Sequence, residues 1–402
     1  MMKRGLVVGL GLCLSAAFSA SPVVAAETVK VGLIADFTGA FAAWGAQFQR
    51  SVEAYQAVYG KTIKGPKGED IEVQVVYRDA ASAGADKAKQ LAEELVLRER
   101  VKVLTGFDLS PHAMAVAEIA TQVKMPVVLM NASTASITRG SPYFVRVSNT
   151  LPQWLSALGK WVAESGVKTA YTLVTDYAPG HDAEAYFHKT FTAAGGKIVG
   201  SARTPQQETN FSVHMERVLQ AKPDALYIFQ PSGAPSIAAV KAFMERGLKQ
   251  AGIKLFAAGE MDELYLPHFT DDVTGVVSVS HYVESNDSPE NKTMRAQLAK
   301  MHGANSMVDL ASVGAWDGMN VIYSALRETG AAVDGPKFVA AVAGKTFKSP
   351  RGEITIDPEE RDVIQNVYIR RVEKKDGKLV NTQIGMVPMV KDPWKIDNPV
   401  KK

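Results

Sequence analysis

The residues best placed to do chemistry in this sequence lie in two short polar turns. Ser110 follows an apolar run at residues 101–105, and Ser133 and Thr134 follow a second run at residues 127–130. Both runs are typical of parallel strands, and ligands bind at the carboxyl ends of such strands. The free N–H groups of a helix that begins near Ser110 would favour a carboxylate or a phosphate. The two turns therefore predict an oxyanion clamp, with two ordinary polar loops as the alternative.

The sequence lacks the common catalytic motifs. It has no Gly-x-Ser-x-Gly elbow, no His-Glu-x-x-His, no phosphate loop ending in Gly-Lys-Ser/Thr and no strand-linked Gly-x-Gly-x-x-Gly. Ser110 and His112 could suggest a nucleophile and a base, but a serine N-cap followed by proline explains them better. His181 and His188 could share a helix face, and we interpret them as surface residues. We expect no enzyme activity, no metal and no cofactor.

Strands and helices alternate along the chain and must position these turns. An apolar β-branched strand at residues 29–35 precedes an amphipathic helix at residues 42–58. A second series of strands and helices starts after the polar stretch 149–152, which we interpret as a hinge. Further strands are predicted at 71–77, 101–105, 127–130, 170–175, 197–202, 225–229, 254–258 and 276–280, with short ones near 354 and at 367–371. This alternation predicts the α/β class, with parallel sheets covered by helices on both faces.

The first 26 residues are typical of a cleaved export signal. Lys3 and Arg4 give a positive start, residues 6–18 are apolar but too short to span a membrane, and residues 24–26 are small. The mature chain is expected to begin near Glu27. Because Cys13 is the only cysteine and lies in the signal, the mature protein should contain no thiol. The alternative is a lipoprotein anchored through Cys13.

Composition limits the class of partner. About 376 residues remain after cleavage, which suits two domains, and 46% of the whole chain is apolar. Removal of the signal leaves 43 basic and 42 acidic side chains. This balance argues against nucleic acid or an anionic membrane as a partner, because both call for a clustered basic face. We expect a monomer with a small-molecule ligand.

Five segments carry a family resemblance over essentially the whole mature chain. They are ADFTGAFAAWG at 35–45, YRDAAS at 77–82, GFDLS at 106–110, PVVLMNAST at 126–134 and VTDYAPGHD at 174–182. In this order and spacing the chain resembles the leucine/isoleucine/valine-binding family of periplasmic solute receptors for ABC importers.

The resemblance implies the periplasmic binding protein type I fold, with two doubly wound, Rossmann-like lobes joined by a three-strand hinge. Lobe 1 would comprise residues 27–148 plus about 281–353. Lobe 2 would comprise residues 149–280 plus about 354–402. The two lobes would close over the ligand.

The resemblance also implies site residues. Ser110 matches the family's carboxylate-binding serine, and Ser133 and Thr134 match its second carboxylate turn. Trp44 matches an aromatic residue that covers the ligand, and Glu260 matches the acid that pairs with the ligand's ammonium group.

Several positions depart from the family pattern. Ala81 and Leu109 stand where amino-acid receptors often have a disulfide. Pro179 and Pro231 stand near the places of second-lobe tyrosines, with Tyr177 and Gln230 beside them. Tyr177 is expected to bind the ligand on that lobe together with Glu260, and the side-chain pocket is left open.

The predicted function is a periplasmic substrate-binding protein that delivers a small carboxylate-bearing solute to an inner-membrane ABC permease. A branched-chain or related amino acid is the family's ligand, and Glu260 would suit its ammonium group. An aromatic acid is the alternative, because Phe41, Trp44, Phe107 and Tyr177 could line its pocket. A ligand-binding sensor protein and a periplasmic hydrolase are the competing functions.

Overall fold

The structure, a computed structural model, describes residues 26–400, and most of the predicted export signal with Cys13 lies outside this range. Its strands form two separate sheets. The first sheet contains β1 (Glu27–Ala35), β2 (Thr62–Lys64), β3 (Asp70–Asp79), β4 (Val103–Gly106), β5 (Val127–Leu129) and β6 (Phe144–Arg146). The second sheet contains β7 (Thr169–Thr175), β8 (Lys197–Thr204), β9 (Ala225–Phe229), β10 (Lys254–Ala257), β11 (Val277–Ser280), β12 (Thr346–Phe347), β13 (Ile354–Ile356), β14 (Val363–Lys375) and β15 (Lys378–Val390).

Helices cover both sheets. They are α1 (Ala42–Tyr59), α2 (Ala85–Leu97), α3 (Ser110–Ala115), α4 (Ala117–Gln122), α5 (Leu151–Glu164), α6 (Ala178–Ala193), α7 (Ser212–Ala221), α8 (Ala234–Glu245), α9 (Pro289–His302), α10 (Leu310–Thr329), α11 (Gly335–Val342) and α12 (Pro393–Asp397). None of them, within residues 26–400, combines the length and apolarity that a membrane crossing needs. We call the first sheet with its helices lobe 1 and the second sheet with its helices lobe 2.

Each sheet has a point where its strand order reverses. The first sheet runs β2-β3-β1-β4-β5-β6 and is parallel except for β2, so the reversal lies between β1 and β4. In lobe 2, β8 and β9 pair with opposite edges of β7 in parallel, so the reversal lies between β7 and β9. Ligands of doubly wound sheets bind beyond the carboxyl ends of the strands at such points. The fold confirms two doubly wound lobes of the periplasmic binding protein type I class.

Helices α9, α10 and α11 return the chain to lobe 1. The ring of Tyr55 on α1 stands edge-on to Trp316 and Tyr323 of α10, with centroids 5.1 and 5.2 Å apart. The Ser51 hydroxyl also donates to the Ser312 carbonyl over 2.6 Å. Edge-to-face aromatic pairs add about 0.5–1.5 kcal/mol each to the burial of their rings. This packing assigns late helices that sequence periodicity could not place.

The chain passes between the lobes in three segments, after β6, after β11 and before β12. Arg351, which is 1% exposed, braces the first segment by donating to the carbonyls of Val147 and Ser148. It also pairs with Asp317 of α10 at 3.0 Å. A buried guanidinium with three hydrogen-bonding partners has little freedom to move, so Arg351 restricts the motion of this part of the hinge. The residue boundaries proposed above for each lobe stay a prediction.

The prediction that Ser110 is a helix N-cap is wrong. Ser110 is the first helical residue of α3, whose N-cap is Leu109, and a break at Val116 separates α3 from α4. The hydroxyl of Ser110 is therefore not used for capping. The long β14–β15 hairpin was predicted only in part, as a strand at residues 367–371.

Candidate ligand-binding site

A cavity lies between the two lobes, at the carboxyl ends of the strands that flank both reversal points. Both lobes contribute polar and aromatic side chains to its wall. Those from lobe 1 include Trp44, Asp108, Ser110, Asn131 and Ser133, and those from lobe 2 include Tyr177, Phe229, Gln230, Ser232 and Tyr265. Four of the six predicted site residues, Trp44, Ser110, Ser133 and Tyr177, are among the lining residues.

Ser110 and the turn after β5 form a single unit. The Ser110 oxygen accepts the N–H groups of Ser133 and Thr134, each over 3.1 Å. Because both of these bonds use lone pairs, the hydroxyl proton of Ser110 remains free to be donated. Thr134 lies behind the cavity wall, is 4% exposed and contributes through its backbone. This unit places one free O–H donor at the cavity wall, where an anion could accept from it, and the two N–H groups hold its oxygen in place.

The turn that presents Ser110 depends on unusual backbone. Gly106 and Phe107 have φ of +92° and +61°, and a Cβ at Gly106 would overlap the carbonyl oxygen of Ile34. Phe107 is completely buried, so it anchors the turn in the core of lobe 1 instead of lining the cavity. A left-handed non-glycine residue is strained and persists where the surroundings fix it, as is common at functional sites.

Asp108 is an acidic residue of the cavity wall, but both its oxygens are occupied. One accepts the N–H of Asp36 at 2.9 Å, and the other accepts from Leu109 N at 3.0 Å and contacts His112 Nδ1 at 3.2 Å. Burial lowers the pKa of His112, and the hydrogen bond to Asp108 raises it. The net shift of this pKa is upward. Burial and the Asp108 charge raise the pKa of Asp36 to about 6. These three groups could reach one metal ion, but their hydrogen bonds already connect them to each other and to the backbone.

Aromatic rings form the remaining wall. Tyr177 follows β7 and Phe229 ends β9, and their rings are stacked with a 6.2 Å centroid distance and an 11° interplanar angle. Trp44 and Trp154 also line the cavity. Burial raises the pKa of Tyr177, so its phenol stays protonated near neutral pH. Flat apolar faces of this kind suit a planar ring.

Glu260 does not line the cavity. It is completely buried, and its carboxylate accepts the N–H of Gln230 and, at 2.7 Å, that of Ala258. Its position joins the turns after β9 and β10, so it supports the lobe 2 wall from behind. The pairing of Glu260 with a ligand ammonium group stays a prediction, and no contact of its carboxylate supports it.

The free energy of unfolding should depend on pH through Glu260. Burial raises its pKa from 4.5 to about 7, so folding takes up a proton between these values. Its contribution to stability is therefore greatest below about pH 4.5 and falls as the pH rises towards 7. When the pH rises from 5 to 7, we expect the free energy of unfolding to fall by on the order of 2 kcal/mol more in the parent than in Glu260→Gln. Urea unfolding of both proteins and of the exposed control Glu164→Gln measures this, and parallel curves for parent and Glu260→Gln would contradict it.

Several lining residues were not predicted as site residues. Trp154, Phe229, Ser232 and Tyr265 all face the cavity. Ser232 follows the strand that ends at Phe229, so its position after a strand end is the sequence signal that identifies it. Trp154 and Tyr265 carry no local motif.

The lobes contact each other around the cavity. Asp182 of α6 accepts the Ala135 N–H across the lobes at 2.9 Å, and Asp262 accepts the Leu310 N–H at the start of α10, also at 2.9 Å. Gly233 lies against Ala40 of the loop before α1, where a Cβ would overlap the Ala40 carbonyl oxygen. The structure is therefore a closed form, in which backbone and carboxylate contacts hold the two lobes together.

Comparisons with known proteins agree with this architecture. A family model described as periplasmic binding protein matches residues 28–378. The Leu/Ile/Val-binding protein homolog 6 of Brucella melitensis biotype 1 is 41% identical over 387 residues, covering 96% of this chain and 98% of the relative.

Two solved structures from Rhodopseudomonas palustris are similar over the whole fold. The solute-binding protein of an ABC transporter from strain BisB5, in complex with 3,4-dihydroxybenzoic acid, has a TM-score of 0.86 and 41% identity, covering 92% of this chain and 99% of its own. A second one, in complex with 4-hydroxybenzoate, has a TM-score of 0.88 and 39% identity, covering 92% of this chain and 100% of its own.

Proposed function

This chain belongs to the periplasmic binding protein family, as a solute-binding protein of an ABC importer, and we propose that its solute is an aromatic carboxylic acid of the hydroxybenzoate class. Three observations support the proposal. They are the free hydroxyl of Ser110 on lobe 1, the aromatic side chains in the cavity wall, and the absence of an unbonded acid among the described lining residues.

The observation that carries the proposal is that the acidic side chains at the cavity are already hydrogen-bonded within the protein. Among the residues that the structure describes, Asp108 is the one acidic side chain in the cavity wall, and backbone N–H groups and His112 occupy its oxygens. Glu260 is likewise bonded to backbone N–H groups. An ammonium group enclosed without a carboxylate is costly. A carboxylic acid that lacks an amino group avoids this cost.

The carboxylate end of the solute fits the Ser110 unit. A carboxylate would accept the free O–H of Ser110, whose oxygen is held in place by the N–H groups of Ser133 and Thr134. A hydrogen bond to a charged acceptor contributes about 1.5–3 kcal/mol. No lysine or arginine is among the lining residues within the described chain, so neutral donors such as this hydroxyl would carry the recognition of the anion.

The ring of the solute would pack against the aromatic side chains of the cavity wall, which include Trp44 and the stacked pair Tyr177–Phe229. The two Rhodopseudomonas proteins with dihydroxybenzoic acid and hydroxybenzoate bound are about as similar to this chain as the Brucella relative is. They support the same class of solute for this chain.

A branched-chain amino acid is the second candidate solute. The name of the Brucella relative at 41% identity favours it. It would require an ammonium partner, and Glu260 could serve only if its turn moved to free the carboxylate from Gln230 and Ala258.

Delivery to an inner-membrane permease, action as a monomer and residence in the periplasm belong to the same proposal. The family supports the first, and the family together with the export signal supports the last. None of these requires turnover, so the protein would return its solute unchanged.

A thermal-shift panel tests the class of solute. At a free concentration of about 100 times the dissociation constant, a ligand that binds only the folded protein adds about 2.7 kcal/mol to the free energy of unfolding. We expect 4-hydroxybenzoate and 3,4-dihydroxybenzoate to raise the melting temperature by several degrees, and leucine, valine and phenylalanine to leave it unchanged. A rise with the amino acids alone would contradict the proposal.

A further inference from the structure

Two hydroxyl groups on the lobe 2 wall have hydrogen-bonding capacity that the protein does not use. Ser232 is 4% exposed, and its hydroxyl has no hydrogen-bond partner among the described residues. Tyr265 is 3% exposed, and its oxygen accepts the Gly233 N–H at 3.1 Å. No described group accepts the proton of the Tyr265 hydroxyl. Both residues line the cavity.

The turn that carries Ser232 is held in place by its own hydrogen bonds. The N–H of Gln230 is bonded to Glu260, and the Ser236 hydroxyl contacts the carbonyls of Gln230 and Pro231 at 3.3 and 2.9 Å. Because Gly233 is bonded to Tyr265 and directly follows Ser232 in the chain, the two hydroxyls lie near the same point of the turn. Their position is therefore preorganised before any ligand arrives.

A buried hydroxyl without a partner is unfavourable, and native proteins usually satisfy such groups. A phenolic hydroxyl of a ligand could donate to Ser232 and accept from Tyr265, since it has both capacities. The Ser110 unit lies on lobe 1 and these two groups lie on lobe 2. A rigid ring with a carboxylate at one end and a hydroxyl at the other would therefore bridge the two lobes.

We infer that Ser232 and Tyr265 form a hydroxyl-binding subsite that selects ring-hydroxylated aromatic acids over the unsubstituted acid. The inference rests on the proposed function and adds to it the part of the solute that lobe 2 recognises. A site with polar groups built for a ligand hydroxyl disfavours the analogue that lacks it, because those groups are then left unpaired.

Calorimetry with benzoate and 4-hydroxybenzoate tests the subsite on the parent, Ser232→Ala and the control Ser141→Ala. We expect the parent to bind 4-hydroxybenzoate at least about 10-fold more tightly than benzoate. Ser232→Ala should weaken the binding of 4-hydroxybenzoate by about 10-fold and the binding of benzoate by less than about 2-fold. Because Ser141 is a buried serine of lobe 1 that does not line the cavity, Ser141→Ala should leave both affinities unchanged.

Equal weakening of both acids by Ser232→Ala would overturn the subsite, as would a parent that binds the two acids equally. Tyr265→Phe provides the second variant, and it should also reduce the preference for 4-hydroxybenzoate over benzoate. A parent that binds neither acid but binds leucine would overturn the proposed function itself. Melting temperatures without ligand separate a loss of folding from a loss of recognition.

Discussion

Replacement of Gly233 by alanine is expected to weaken solute binding by roughly 5- to 150-fold, because it obstructs closure of the lobes. Gly233 begins the turn into α8 on lobe 2, and a Cβ at this position would overlap the Ala40 carbonyl oxygen on lobe 1. Relief of such an overlap requires a backbone shift that typically costs about 1–3 kcal/mol. The cost falls on the closed form only, since separation of the lobes removes the contact.

The backbone conformation of Gly233 adds a second, separable cost. Its φ is +96° and its ψ is −141°, where an L-residue is strained by on the order of 1–3 kcal/mol in either form of the protein. Gly252 is the matched control, because it also lies in lobe 2 with φ of +86° and has nothing within 4 Å of its Cβ position. Gly252→Ala should therefore lower stability without lowering affinity.

Calorimetry with 4-hydroxybenzoate and small-angle scattering measure the two parts of this prediction. The Gly233→Ala protein should stay more extended than the parent at equal ligand concentration. If its affinity equals that of Gly252→Ala, the contact between Gly233 and Ala40 has no role in closure.

Replacement of Ser110 by alanine is expected to weaken binding by about 1.5–3 kcal/mol, which is on the order of 10- to 150-fold. The variant loses the O–H donor that faces the cavity and the acceptor that orders the N–H groups of Ser133 and Thr134. The loss should be similar for benzoate and for 4-hydroxybenzoate, because both share the carboxylate.

Ser141 provides the control for Ser110. It is a buried serine of lobe 1 that accepts from Thr121 at 2.9 Å and from Tyr143 N at 3.3 Å, and it does not line the cavity. Ser141→Ala should lower the melting temperature without changing the dissociation constant. If Ser110→Ala behaves in the same way as Ser141→Ala, the role of Ser110 is structural and the anion is bound elsewhere.

The lobe 1 half of the site could be predicted from the sequence because it follows one rule. Ser110 and Ser133 come immediately after strands of a parallel sheet, and the carboxyl ends of such strands meet at one edge. The same rule applied to β9 would have selected Ser232. Its preceding strand was predicted at its observed residues, 225–229.

The orientation of Glu260 could not be predicted from the sequence. The resemblance placed a carboxylate at the correct turn, but a carboxylate in a strand-end turn can face either the ligand or nearby N–H groups. Here the turns after β9 and β10 approach closely enough for Gln230 N and Ala258 N to occupy it. That approach is a long-range property of the sheet, so no local pattern carries it.

Contacts between the lobes could not be predicted from local sequence patterns either. Gly233 reads as an ordinary turn glycine until Ala40, which is almost two hundred residues earlier, is placed against it. Tyr265 likewise gains its role from a bond to Gly233. Sequence patterns predicted the elements and one wall of the cavity, and packing of distant turns determines the other wall.

The central claim is that the cavity accepts a carboxylate with an aromatic ring and no ammonium group. Calorimetric titration of the ligand-free protein with 4-hydroxybenzoate and with leucine, under one set of conditions, tests it most directly. We expect saturable binding of one 4-hydroxybenzoate per chain, with no measurable heat of binding for leucine. Saturable binding of leucine with no binding of 4-hydroxybenzoate would contradict the claim and would return Glu260 to the role of ammonium partner.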